Sequence, residues 1–309
     1  MGYKRKDLLG TRDLSREEIS YFLDAAREFK ELNLKDVKKC DYLRGRTTIN
    51  AFYENSTRTR TSFEIAAKRL GADAVNFTSS NSSVKKGETL IDTMNNMAAM
   101  KTDIIVLRHP SSGAAAFAAK HTDASIVNAG DGTNEHPSQA LLDLLTLQEY
   151  GKILGPQTQV AIIGDIARSR VARSNIWAMK KFGIPVRLFA PAMMMPKDAE
   201  VFECKICKTM EEAVEGADAI IMLRIQLERG DADVAFPSSR EYSKFFGLNA
   251  RRMALAKPDA IVLHPGPVNR GVELNSDVAD GGHSVILNQV ENGVAIRMAI
   301  LSTLIKNRG

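Results

Sequence analysis

Along the chain the spacing of apolar residues switches between alternation and recurrence every three or four positions, and each switch marks a boundary between elements. After Ser15, the residues Phe22, Ala25, Ala26 and Phe29 recur at helical spacing, and Ser15-Arg16-Glu17-Glu18 supplies a capping box for the start of that helix. Thr47 to Tyr53 reads as a strand, Thr57 to Leu70 as a helix with Phe63, Ala66, Ala67 and Leu70 on one face, and Gly71 as its stop. Strands then follow at Ala74 to Phe77, Asp103 to Leu107 and Ser125 to Val127, with helices at Glu88 to Met100, Ser112 to Lys120 and Pro137 to Tyr150. Such alternation predicts a parallel sheet with helices on its faces.

A short stretch rich in turn residues, Tyr150-Gly-Lys-Ile-Leu-Gly-Pro-Gln, interrupts the pattern. Beyond it the alternation restarts, with strands at Gln159 to Ile163, Pro185 to Phe189, Ala219 to Leu223 and Ala260 to Leu263, and a helix from Arg170 to Phe182. A second α/β domain is therefore expected, hinged to the first near residue 150, and Asn288 to Lys306 forms one long final helical pattern. The length of 309 residues agrees, because it exceeds what one hydrophobic core usually organises. Between the last two strands lies ERGDADVAFPSSREYSKFFG, long, polar and marked by glycine, which reads either as a disordered segment or as an active-site lid. Neither internal repeats nor low-complexity segments occur.

Composition narrows the function classes. Apolar residues make up 44% and charged residues 26%, ordinary values for a globular chain. No apolar run approaches the roughly 20 residues of a membrane-spanning helix, and the start MGYKRKDLLGTRDLS lacks a signal peptide's apolar centre, so a cytoplasmic protein without a membrane partner is expected. Cys40, Cys204 and Cys207 make no disulfide framework, and the CxxC at 204–207 lacks a second ligand pair for zinc. The net charge of +5 comes without a long basic block and with only 6% aromatics, which argues against nucleic acid and suits a site that draws in small anions.

In an open parallel sheet, ligands bind beyond the carboxyl ends of the strands, where helix N-termini point. The chemistry-bearing residues collect there. Ser56-Thr57-Arg58-Thr59-Arg60 joins a strand to the next helix, so hydroxyls, backbone N–H groups, the helix dipole and Arg58 converge on a phosphate-sized anion, while Arg60 points elsewhere and suits an ion pair. Arg108 follows the strand DIIVL, and His136 and Gln139 open a helix after a glycine-bearing loop, as readers of a carbonyl and an amide. Lys85 and Lys86 lie in a serine-rich loop without a phosphate-binding glycine pattern, and Ile163-Gly164-Asp165 lacks a dinucleotide fingerprint. In the second half Arg170 and Arg224 each follow a strand and suit bidentate carboxylate recognition, with Gln226 pointing the same way as Arg224. His264-Pro265-Gly266-Pro267 leaves a strand with two prolines, so its carbonyls are available as acceptors. An acyl phosphate with an amide end, meeting an acidic amine, fits both halves.

STRTR, VLRHP, DGTNEHPSQALLDL, GDIARSR, LRIQLER and HPGPVNRG, in this order, resemble the motifs of aspartate carbamoyltransferase catalytic chains, from LLGTRDLS to the final helix. The resemblance implies two parallel-sheet α/β domains: residues 1–149 for carbamoyl phosphate, completed by a C-terminal helix (288–309) that packs back on them, and residues 150–287 for aspartate. It implies that Ser56, Thr57, Arg58 and Thr59 hold the phosphate, that Thr59, Arg108 and His136 face the carbamoyl oxygen, and that Gln139 with the carbonyls of Gly266 and Pro267 takes the carbamoyl amino group. Arg170, Arg224 and Gln226 would bind aspartate's carboxylates. Ser82 and Lys86 match a loop inserted into a neighbouring subunit's site, which makes the working unit a homotrimer with shared active sites, and Lys86 joins the catalytic and aspartate-binding sets. Glu54, Arg170, Glu228 and Arg229 are candidates for ion pairs formed on closure. No cofactor and no metal are implied; regulatory chains or another pyrimidine-pathway enzyme are the further partners. Ornithine or another amino-acid acceptor is the alternative, against which stand HPGP in place of that family's HCLP segment, the lack of an SMG loop, and the second cationic reader at Arg224.

Overall fold

In the computed structural model, which describes residues 2–78, 88–225 and 238–308, the strands form two separate sheets, both parallel throughout. The first contains β1 (Thr47–Phe52), β2 (Asp73–Thr78), β3 (Ile104–His109) and β4 (Ser125–Asp131), in the order β2-β1-β3-β4. Its register pairs Thr48 with Ala74 on one side and with Ile104 on the other. Ile104 to Leu107 are all buried, as expected for a strand covered on both faces. Ile49, Ala51, Ile105, Leu107 and Ile126 pack with Met94 and Met97 of α3 (Leu90–Ala99) and with Ala115 and Ala118 of α4 (Ala114–Ala119). The chain leaves β1 towards β2 and returns to β3 on the opposite side, so β1 and β3 flank a topological switch point.

Helix α1 (Arg16–Asn33) begins with the expected capping box: the Glu18 N–H donates to Ser15 Oγ at 3.1 Å and the Ser15 N–H to Glu18 Oε2 at 2.8 Å. The last helix, α11 (Ile286–Lys306), lies against it, with Lys30 Nζ donating to Asn292 Oδ1 at 2.8 Å. Arg297 of α11 also reaches α2 (Thr57–Arg69), donating to Ser62 Oγ at 2.9 Å with its guanidinium 5.1 Å from the centre of the Phe63 ring. The expected return of the C-terminal helix onto the first sheet's helices is therefore present.

The second sheet holds β5 (Val160–Ile163), β6 (Val186–Phe189), β7 (Lys205–Ile206), β8 (Ala219–Met222) and β9 (Ile261–Leu263), in the order β7-β6-β5-β8-β9. Here β5 and β8 flank the switch point. Ala161, Ile163, Ile220, Met222 and Val262 form a core with Met210, Ala213 and Val214 of α7 (Met210–Val214), while α6 (Arg170–Lys181) buries Val171, Ile176 and Met179.

The polar stretch expected to be a loop before β9 is partly helical. Residues 226–237 lie outside the described residues, but α8 (Ser239–Phe246) follows them, with the Glu241 N–H donating to Ser238 Oγ at 3.1 Å. Tyr242 is buried beside Met194 and Ile225, with Phe246 one turn later packed against the same cluster, so two apolar residues at helical spacing suffice to seat it. A repeat that short is hidden among polar neighbours in the sequence. The chain divides into two compact units, Met1–Leu142 with Val290–Gly309, and Asp143–Gln289. The divide runs through α5 (Pro137–Glu149) and α11, whereas the sequence reading set it after α5 and before the last helical pattern.

Candidate active site

At the first switch point, the carboxyl end of β1 runs through Glu54 and Asn55 into α2, and Arg108 sits at the end of β3 opposite Phe52. The two strand ends are tied by a bond from the Tyr53 N–H to the Arg108 carbonyl at 2.9 Å. Arg108 Nε donates to Glu54 Oε2 at 3.3 Å, and its Nη1 donates to Ser56 Oγ at 3.3 Å. Both side chains of this ion pair are 15% exposed, so it is screened less than a surface pair. Ser56 occupies the N-cap of α2 in an extended conformation, yet its side chain makes no capping bond. Ser15, Thr89 and Ser169 do cap their own helices. The start of α2 therefore keeps the electrostatic character that favours an anion, next to the Arg108 guanidinium that pairs with Glu54. Thr57 and Arg58 are exposed and Thr59 is buried. Arg60 lies one turn before Glu64, whose carboxyl is held low chiefly by hydrogen bonds from Lys68 and Asn76, with smaller contributions from the charges of Lys68 and Arg60.

The end of β4 positions His136 and Gln139. Asp131 is buried and gathers this loop: its Oδ1 accepts from Asn128 Nδ2 at 2.7 Å and the Glu135 N–H at 3.2 Å, and its Oδ2 from the Gly113 N–H at 2.7 Å. Gly132 has φ +50, and a Cβ there would fall 2.6 Å from the Ser112 nitrogen, so only glycine fits. Glu135, adjacent to His136, is wrapped by the N-terminal segment: Thr11 donates to Glu135 Oε2 from its N–H at 2.6 Å and its hydroxyl at 2.7 Å, and the Arg12 N–H donates to Oε1 at 3.2 Å. A Cβ on Gly10 would sit 2.3 Å from Glu135 Oε1. The Gly10-Thr11-Arg12 stretch thus clamps the residue beside His136, a role the sequence reading missed because it treated the region only as the approach to α1. His136 and Gln139 are 4% and 7% exposed at the start of α5. His109 is held below the ordinary histidine range chiefly by burial.

At the second switch point, β5 leads through Gly164 and Asp165 to α6, and β8 leads to Arg224. Arg170, the first residue of α6, is buried, and Arg224 is partly buried. Here the N-cap is used: the Ala172 N–H donates to Ser169 Oγ at 3.0 Å. Asp165 accepts from the Arg168 N–H at 3.3 Å, fixing the turn. The end of β9 passes into His264-Pro265-Gly266-Pro267, where the Gly266 N–H donates to His264 Nδ1 at 2.7 Å. With that N–H engaged and two prolines lacking one, the turn presents acceptors only. Gly266 has φ +63, a left-handed conformation that favours glycine. The sequence reading missed the buried partner of this turn, Glu273, which accepts from His264 Nε2 at 3.1 Å.

Ser82, Lys85, Lys86, Gln226, Glu228 and Arg229 lie outside the described residues. Cys40, Cys204 and Cys207 are free thiols. Burial pushes Cys204 up to about 11, and among the described residues no cluster of His, Cys, Asp and Glu could hold a metal ion.

Two family models match the chain: the carbamoyl-P binding domain of aspartate/ornithine carbamoyltransferase over residues 6–149, and the Asp/Orn binding domain over residues 156–304. The aspartate carbamoyltransferase catalytic subunit of Campylobacter curvus is 85% identical over 309 residues, covering 100% of both chains. Aspartate transcarbamoylase from Trypanosoma cruzi, solved with carbamoyl phosphate and aspartate, is 30% identical with a TM-score of 0.85, over 97% of this chain and 95% of its own. Ornithine carbamoyltransferase from Thermus thermophilus reaches the same TM-score of 0.85 at 26% identity, over 97% of this chain and 99% of its own. Backbone likeness alone therefore does not choose the acceptor.

Proposed function

The chain belongs to the aspartate/ornithine carbamoyltransferase family, and we propose on that premise how its residues transfer the carbamoyl group of carbamoyl phosphate to the amino group of L-aspartate, giving N-carbamoyl-L-aspartate and phosphate. The observation that carries aspartate rather than ornithine is the second switch point, where Arg170 and Arg224 follow the adjacent strands β5 and β8 and supply two guanidiniums for two carboxylates. A cationic acceptor side chain would meet repulsion there.

The phosphate binds at the start of α2 through Ser56, Thr57, Arg58 and Thr59. Arg108 exchanges Glu54 for the substrate, and with Thr59 and His136 donates to the carbamoyl oxygen, while Gln139 and the carbonyls of Gly266 and Pro267 take its amino group. The neutral α-amine of aspartate, its carboxylates held by Arg170, Arg224 and Gln226, attacks the carbamoyl carbon. As the C–N bond forms, the carbonyl electrons move onto oxygen. The C–O bond to phosphate then breaks, and the departing phosphate accepts the amine's proton. Each oxyanion donor contributes about 3 kcal/mol to lowering the barrier, and holding both reactants in line supplies a further large share. No nucleophilic side chain takes part.

Ser82 and Lys86 enter the site from a neighbouring subunit, so the active form is a homotrimer, located in the cytoplasm. Phosphate release measured with aspartate and with ornithine as acceptors tests the reaction: turnover with aspartate is expected, and turnover with ornithine alone would overturn it. A native mass of one chain in the fully active enzyme would overturn the trimer.

A further inference from the structure

Glu273 is fully buried, 0% exposed, and the hydrogen bonds from His264 and Asn269 go to one oxygen of its carboxylate. His264 Nδ1 accepts from the Gly266 N–H at 2.7 Å, so the ring proton resides on Nε2, which donates to Glu273 Oε1 at 3.1 Å. The same oxygen accepts from the Asn269 N–H at 2.7 Å. Asn269 Nδ2 in turn donates to the Ile225 carbonyl at 2.8 Å, next to Arg224. The His264 N–H is held independently by Gln289 Oε1 at 2.9 Å. One carboxylate oxygen thus fixes the imidazole that holds the Gly266 turn and the asparagine that holds the backbone beside Arg224.

We infer that Glu273, acting through His264 and Asn269, is a positioning residue that keeps the Gly266-Pro267 carbonyls and the Arg224 strand end in register for the two substrates. This rests on the reaction assigned above. The course of the chain at Glu273 does not depend on its side chain, because the Leu248 N–H donates to the Glu273 carbonyl at 3.0 Å and the Asn275 N–H to the Leu248 carbonyl at 3.0 Å. The carboxylate's work is therefore on the neighbouring turn. Its other oxygen, Oε2, accepts no hydrogen bond among the described residues, so an amide of the same shape retains every acceptor in use.

The test measures kcat and both KM values for the wild-type enzyme and for Glu273→Ala, Glu273→Gln and Asn269→Ala, with melting temperatures alongside. Glu273→Ala is expected to lower kcat/KM about a hundredfold, mainly by raising KM for both substrates, as misplacement of about an ångström does. Glu273→Gln, which keeps the Oε1 acceptor, should lose no more than about threefold. Asn269→Ala should raise KM for aspartate about tenfold and change KM for carbamoyl phosphate less than about twofold, because its link runs to the Arg224 strand end. A merely structural role would lower melting temperatures and leave KM values in place. Soluble Glu273→Ala with wild-type KM values, or Glu273→Gln as impaired as Glu273→Ala, overturns the inference. If Glu273→Ala does not fold, unchanged KM for aspartate in Asn269→Ala overturns it. Failure of the wild type itself to release phosphate with aspartate overturns the reaction and this inference together; a working wild type with unaltered variants overturns the inference alone.

Discussion

The two sheets are built alike and edged differently. In each, the chain runs outward from a central strand and then returns to its other side, so that β1 with β3, and β5 with β8, flank a switch point whose carboxyl edge carries an arginine and a helix N-terminus. At the first edge, Ser56 makes no side-chain cap on α2, and its hydroxyl accepts from Arg108 at 3.3 Å. At the second, Ser169 caps α6 at 3.0 Å, and Arg170 and Arg224 follow β5 and β8 at the same edge. The same serine position thus separates two uses of one topology. A helix start whose own cap is not made suits a phosphate, which accepts several backbone N–H bonds; a satisfied start leaves recognition to planar guanidiniums, which match carboxylates in pairs.

The largest expected effect comes from removing the arginine of the first edge. Arg108→Ala should cut kcat by at least about a hundredfold with an unchanged circular dichroism spectrum, because a donor to the developing oxyanion is lost. At the second edge, Arg224→Ala should act on binding: KM for aspartate rises about 10- to 100-fold, and KM for carbamoyl phosphate, measured at saturating aspartate, stays near wild type. Equal changes in both KM values would erase the division of labour. Smaller still is the contrast between the serines. Ser169→Ala should cost about 1 kcal/mol, read as a lower melting temperature, whereas Ser56→Ala removes no cap and should leave melting nearly unchanged while weakening carbamoyl phosphate. A fourth effect separates the edges by pH. Burial holds His109, at the end of β3, below the ordinary histidine value of 6.5, so the unfolded chain takes up a proton before the folded one does. Stability should therefore decline as pH falls from about 6.5 towards that lowered value, and His109→Gln should flatten the decline in urea-melt midpoints.

Where these residues lie, at the carboxyl edges, could be read in the sequence, and the reason is topological. Alternating strand and helix patterns locate carboxyl edges without coordinates, and any polar residue just past a strand lies on one. Ser56 to Thr59, Arg108, His136, Gln139, Arg170, Arg224 and the Gly266-Pro267 turn all fall in such places. What remained illegible is the support beneath them. Thr11 reaches Glu135 across 124 positions of sequence at 2.7 Å, and neither residue carries a local signal that names its partner. Glu273 sits in a loop beyond β9, looking like any polar residue between turns, and only its burial gives it away. Helix α8 is illegible for another reason: eight residues with one buried and one partly buried aromatic produce too weak a period to stand out from a polar stretch. The polar switch in capping between Ser56 and Ser169 was equally hidden, since both positions carry the same residue type and differ only in what their hydroxyls face.

Titration calorimetry of carbamoyl phosphate alone into the wild-type enzyme, Ser56→Ala and Arg170→Ala tests the division between the edges most directly. Ser56→Ala should weaken binding about tenfold through the lost hydroxyl, and Arg170→Ala should bind as the wild type does. Weakening by Arg170→Ala as large as that by Ser56→Ala, or wild-type affinity in Ser56→Ala, would contradict it.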